Sequence, residues 1–150
     1  MPLLESTSVD HISFVVPILD EAVNFMVDYL GFEILSQDGP IQFDDDRLTR
    51  IYAIPSHAVG RFAMLQHGDQ KIELVEWVNW GEPINPLRES TISGCHITLE
   101  VPDLDEAIQT LKMVHRMRFL EQHPDGFVYC FTPFGFQLKL VKKKSGGWWS

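Results

Sequence analysis

Residues 9–16, VDHISFVV, alternate along an extended chain, with Ile12 and Phe14 on one side and His11, Ser13 and Val15 on the other. Period-two alternation in β-branched and aromatic residues predicts a strand, and Pro17, which has no N–H to donate, ends its ladder. Asp20 and Glu21 then place acidic side chains at a helix start. Ala22, Val23, Met26, Val27 and Leu30 follow at helical spacing, and Gly31 is the stop. Residues 32–35 resume extended structure. A polar, acidic loop to Asp46 follows, then a short-helix pattern over 47–55 and strands over 61–66 and 71–77. The first half therefore reads β-α-β-β-β.

Residues 78–93, with Gly81, Pro83 and Pro86, have linker composition. Beyond them the plan repeats more compactly: a strand over 95–101, a helix over 104–115, and strands over 118–120, 127–131 and 136–142. Pro133-Phe134-Gly135 supplies the last turn. The repetition is literal. At a constant offset of 85, residues 9–23 and 94–108 share His11/His96, Ile12/Ile97, Val16/Val101, Pro17/Pro102, Leu19/Leu104, Asp20/Asp105, Glu21/Glu106 and Ala22/Ala107. Two copies are too few for a solenoid, so one domain spanning 1–150 is expected, with modules over about 9–77 and 94–142 packed around a pseudo-twofold axis.

Alternation also sorts chemistry. Ile72 and Leu74, like Leu138 and Leu140, are expected to face the helices. The opposite face then carries His11, Glu73, His96, Glu100, Gln137 and Lys139, the floor of a polar cleft. Glu76 falls on the helix side and reads as a solvated carboxylate. Trp77 and Trp80 stand at the end of the cleft strand, either as core or as a wall for an apolar substrate. His57, His67, His115 and His123 fall in loops or at element ends and are expected at the surface. Asp44-Asp45-Asp46 reads as an exposed loop or a lid.

With 150 residues, 45% of them hydrophobic, the chain can bury a core without metal or disulfide staples. A net charge of −9 argues against nucleic acid, and the tail cluster Lys142-Lys143-Lys144 reads as solvated. Cys95 and Cys130, in apolar runs, are expected as buried free thiols of a reducing, cytoplasmic compartment. No apolar segment approaches the ~20 residues of a membrane span. Hydrolytic triads and phosphate-cradling glycine loops are missing from the sequence.

The motifs DHISF, KIELVEW, GCHITL and TPFGFQLKL resemble the vicinal oxygen chelate superfamily, also called the glyoxalase/bleomycin-resistance/dioxygenase superfamily, over residues 9–142. The resemblance implies an α+β fold of two tandem βαβββ modules forming an incompletely closed eight-stranded barrel with helices outside, and a homodimer. It also implies a divalent metal on the inner face, held by His11, Glu73 and His96. The family's last motif, D-P-x-G-x-x-I-E-L, appears here with Lys139 at the ligand glutamate.

Two imidazoles and a carboxylate suit zinc, nickel, iron, cobalt or manganese. An ammonium beside a dication is repelled by several kcal/mol even at an effective dielectric of about 20. Two arrangements avoid that conflict. In one, the metal binds and Lys139 becomes a neutral ligand or base; in the other, no metal binds and Lys139 pairs with Glu73.

The first function expected is a glyoxalase-like lyase or isomerase. Its divalent metal would stabilise an enediolate or enolate of a small-molecule substrate, with Glu73, Lys139 and Glu100 as catalytic groups. The alternative is a metal-free binding protein of the bleomycin-resistance type. An iron-dependent dioxygenase ranks last, because its carboxylate belongs where Lys139 stands.

Overall fold

Alternation and proline placement produce the expected first elements in the computed structural model, which describes residues 3–4, 8–78, 95–135 and 137–143. Strand β1 (Ile12–Val15) leads through Pro17 into helix α1 (Leu19–Asp28). The helix buries Leu19, Ala22, Val23, Phe25 and Met26, the stripe that its spacing sets out. Gly31, at φ +77, turns the chain out of it, and the Phe32 N–H returns to the Met26 carbonyl at 3.0 Å. Strand β2 (Glu33–Ile41), helix α2 (Arg47–Tyr52), strand β3 (Val59–His67) and strand β4 (Gln70–Val78) complete this half.

The first sheet has the order β1-β4-β3-β2, with β1 parallel to β4 and the other pairs antiparallel. Ala63, Leu65, Ile72 and Leu74 are at most 3% exposed on the face that α1 covers. Burial of each of the larger side chains contributes roughly 1.5–3 kcal/mol. Phe14 is buried with them, whereas Ile12, on the same face, is half exposed at the free end of an edge strand.

The second half holds strand β5 (His96–Val101), helix α3 (Leu104–Leu111), and strands β6 (Arg118–Phe119), β7 (Phe127–Phe131) and β8 (Gln137–Lys142). Its sheet order, β5-β8-β7-β6, reproduces the first, again with one parallel pair, β5 and β8. Leu104, Ile108 and Leu111 of α3 are buried, as are Val128, Cys130, Leu138 and Leu140 of the sheet. The chain forms two compact units, Met1–Glu82 and Pro83–Ser150. The expected α+β pair of βαβββ modules is thus present as two four-stranded mixed sheets, with α2 added to the first.

Three expectations are corrected. The loop expected after residue 35 is strand as far as Ile41, where it pairs with β3 through register shifts at Ile34/Ser36 and Asp38/Ile41. A bulged edge strand tolerates the Asp38, Gly39 and Pro40 that read as loop. Helix α3 stops at Leu111, not at residue 115, because Val114 N–H bonds to the carbonyl three residues back, tightening the chain into turns. Cys95 is exposed: it precedes β5, outside the ladder, and only Cys130 is a buried thiol.

Candidate functional site

Residues in register across a sheet point to one side, so the pairs Ser13↔Glu73, Met64↔Glu73, Phe62↔Val75 and Gly60↔Trp77 define the face of the first sheet away from α1. Here the structure brings His11 to Glu73. The His11 Nε2 lies 3.9 Å from Glu73 Oε1, with side chains 30% and 25% exposed, shielded yet reachable. On its other edge, the His11 Nδ1 lies 2.7 Å from Asp10 Oδ2. The Ser13 hydroxyl donates to Glu73 Oε1 at 2.9 Å.

The hydrogen bond from His11, reinforced by the positive charge of Lys71, holds the Asp10 carboxyl below its ordinary value. A carboxylate only accepts, so in the contact with Asp10 the His11 Nδ1 is the donor, and the Nε2 is the nitrogen on the side of Glu73.

Further along the same face stands an aromatic corner. The Trp77 ring packs edge-on to Phe62 at 5.6 Å and to Tyr52 of α2 at 5.7 Å. Gly60 leaves room for it, since a Cβ there would come within 2.8 Å of the indole. Trp80 lies outside the described residues. On the opposite face Arg61 reaches Glu76 at 3.2 Å and Asp20 of α1 at 3.1 Å. Glu76 is therefore a paired carboxylate, 13% exposed, rather than the solvated one expected; a long guanidinium from the neighbouring strand covers it.

In the second sheet the pairs His96↔Gln137, Thr98↔Lys139, Glu100↔Val141 and Tyr129↔Lys139 define the equivalent face. The Lys139 ammonium lies 4.5 Å over the Phe127 ring and 5.5 Å over Tyr129, a cation–π arrangement. His96 meets Tyr129 edge-on at 5.3 Å. Glu100 is exposed. Gln137 is 3% exposed, and its Oε1 has no hydrogen-bond donor among the described residues, which marks a buried polar position beside His96.

Asp10, Ser13 and Gln137 are the polar members that sequence reasoning left without a role. The signal for Ser13 was its shared face with His11; hydrogen bonding to a residue sixty positions away carries no local signature. His57, His67, His115 and His123 are exposed as expected. Asp45 and Asp46 are also exposed, and pair with Arg47 and Arg50 of α2.

An imidazole nitrogen beside a carboxylate oxygen is a donor pair of the kind that divalent metals take. Metal–ligand distances of about 2.0–2.2 Å put two tetrahedral donors roughly 3.4 Å apart, so the 3.9 Å between His11 Nε2 and Glu73 Oε1 is about half an ångström wider than such an ion would need. Among the described residues no group of three or more His, Cys, Asp or Glu side chains is gathered to hold a metal. No described helix is long and apolar enough to cross a membrane.

Residues 10–128 match the family model described as the Glyoxalase/Bleomycin resistance protein/Dioxygenase superfamily. A 2-epi-5-epi-valiolone epimerase from Actinomyces sp is 32% identical, over 94% of this chain and 82% of that protein. Among solved structures, a glyoxalase family protein from Bacillus cereus superposes with a TM-score of 0.72 at 18% identity, covering 95% of this chain and 97% of that one. The trypanothione-dependent glyoxalase I of Leishmania major gives 0.65 at 18% identity, covering 94% and 90%. A fosfomycin resistance protein from Mesorhizobium loti gives 0.64 at 13% identity, covering 93% and 94%. At these identities the structural likenesses show the fold.

Proposed function

Because this chain belongs to the glyoxalase/bleomycin resistance protein/dioxygenase superfamily, we propose that it is an isomerase, an epimerase that inverts a carbon next to the carbonyl of a small polyhydroxylated ketone. The observation that carries this reading is the 32% identity, over 94% of the chain, to an epimerase whose substrate's name ends as a ketone's does. Inversion beside a carbonyl needs a base to take a weakly acidic C–H proton, positive charge to hold the oxyanion left behind, and an acid to return a proton to the opposite face of the same carbon.

The chain's residues support these roles. His11, Glu73 and His96 are the proposed donors for a divalent ion such as zinc, nickel, iron, cobalt or manganese. That ion, when bound, would supply positive charge to the substrate's oxygens. Asp10 Oδ2 lies 2.7 Å from the Nδ1 of the first imidazole, and Ser13 donates to Oε1 of Glu73. Glu100 and Lys139, both on the non-helix face of the second sheet, are the proposed proton-transferring and oxyanion-facing groups. The aromatic corner of Trp77, Phe62 and Tyr52 offers C–H-rich ring faces an apolar wall. The working form is proposed to be a homodimer, which light scattering tests.

Proton exchange is the direct readout. In D2O, 2-epi-5-epi-valiolone and related polyhydroxylated ketones should gain deuterium at one carbon beside the carbonyl, followed by NMR. The metal content of the purified protein, and of His11→Ala/His96→Ala, is measured alongside. Stoichiometric metal that is lost in the double variant, with exchange lost too, supports the reading. Failure of the wild type to exchange any ketone of this class defeats it.

A further inference from the structure

The two histidines at duplicated positions differ in one neighbour. His11 follows Asp10, and His96 follows Cys95. The tautomer of an imidazole is set by the hydrogen bond its far nitrogen makes, and here a carboxylate oxygen sits 2.7 Å from the His11 Nδ1. Free histidine favours the proton on Nε2, which would turn a donor, not a lone pair, toward Glu73. At 3.9 Å, the Nε2 and Glu73 Oε1 are too far apart for a hydrogen bond to each other.

We propose that Asp10 is a positioning residue: it fixes His11 as the Nδ1–H tautomer, so that the Nε2 lone pair and the Glu73 carboxylate converge on one ligand. The metal part of this inference rests on the site proposed above; the tautomer part does not. Asp10 is 76% exposed and packs into no core, so replacing it leaves the fold's apolar packing in place.

The test uses the full chain with 15N-labelled histidine and long-range 1H–15N correlation in alkaline buffer, where histidine rings are neutral. The His11 signals are identified by their loss in His11→Gln. His123 serves as the internal reference for the other tautomer, because its Nδ1 accepts the Asp125 amide at 3.0 Å. Wild type and Asp10→Asn, whose amide oxygen still accepts, should show the proton on Nδ1, and Asp10→Ala should shift toward Nε2–H. Nε2–H in the wild type, or no change in Asp10→Ala, overturns the proposal.

Zinc alone is then titrated calorimetrically. Affinity should fall about 10–100-fold in Asp10→Ala and largely return in Asp10→Asn. A wild type that binds zinc with an affinity untouched by Asp10→Ala overturns the proposal as well. A wild type that binds no zinc but keeps the Nδ1–H form defeats the metal site and supports the role of Asp10.

Discussion

The two halves share a sheet order and differ in what they place on it. The register position that is Ser13↔Glu73 in the first sheet is Thr98↔Lys139 in the second. The first pairs a hydroxyl with a carboxylate, and the second puts an ammonium over two aromatic faces. Asp10 before His11 becomes Cys95 before His96. The buried centres of both helix faces stay apolar, with Leu65 and Leu74 in one and Leu138 and Leu140 in the other at no more than 1% exposure. Packing is restored to the same solution twice because volume and apolarity are all it demands. The opposite faces answer to chemistry instead, and have diverged.

The sharpest way to break this asymmetry is at the paired positions themselves. Glu73→Gln keeps shape and removes the charge, and should lower proton exchange by about 10²–10⁴-fold. Lys139→Glu makes the second register position match the first; in the proposed metal site it should raise zinc affinity about tenfold or more, read by calorimetry.

Where the halves agree, matched substitutions should agree too. Leu74→Ala and Leu138→Ala each empty a fully buried site and should each cost about 2–5 kcal/mol in denaturant unfolding.

The two thiols should part company. A thiol reagent should label Cys95 in the native protein and spare Cys130, whose burial pushes its ionisation up to about 12. The unfolded chain releases the Cys130 proton near pH 9, before the folded one, so stability falls from there up to about pH 12. Cys130→Ala should remove that part of the alkaline slope in thermal melts.

The smallest effect lies at the helix starts. Asp103 caps α3 by accepting the Glu106 N–H at 3.0 Å, whereas Ile18, with nearly the same backbone angles, makes no side-chain cap for α1. Asp103→Ala should cost about 1 kcal/mol, and Ile18→Asp should gain a similar amount. Thermal melts of the two variants check the pair.

Most of the framework was legible because its signals are periodic. Ile72 and Leu74 two apart, and Ala22, Val23 and Met26 at helical spacing, each declare a buried face, and the duplication confirms one half from the other. The edge of the first sheet was not legible. Asp38-Gly39-Pro40 has turn composition, and only pairing with β3, more than twenty residues away, makes a strand of it. Alternation along each strand puts His11 and Glu73 on the face away from the helices, the family resemblance makes them partners, and the structure brings them to 3.9 Å. Asp10 was missed for a reason within the same rule. Alternation sends consecutive residues to opposite faces, but Asp10 and His11 precede the first ladder residue, Ile12, so their side chains are free to meet. Gln137 reads from sequence as one more inward polar residue; that its oxygen has no donor among the described residues appears only once the packing around it is known.

Strand β2 bears on the behaviour of the protein in a crowded solution. It lies at the edge of the first sheet with eight of its nine residues exposed, a row of backbone groups that a foreign strand could template on. Two register shifts bend that row, Pro40 removes a donor from it, and Glu33 and Asp38 would set like charges side by side if a second copy paired in parallel. The irregularity that disguised β2 as a loop is thus also a guard against fibrillar self-association.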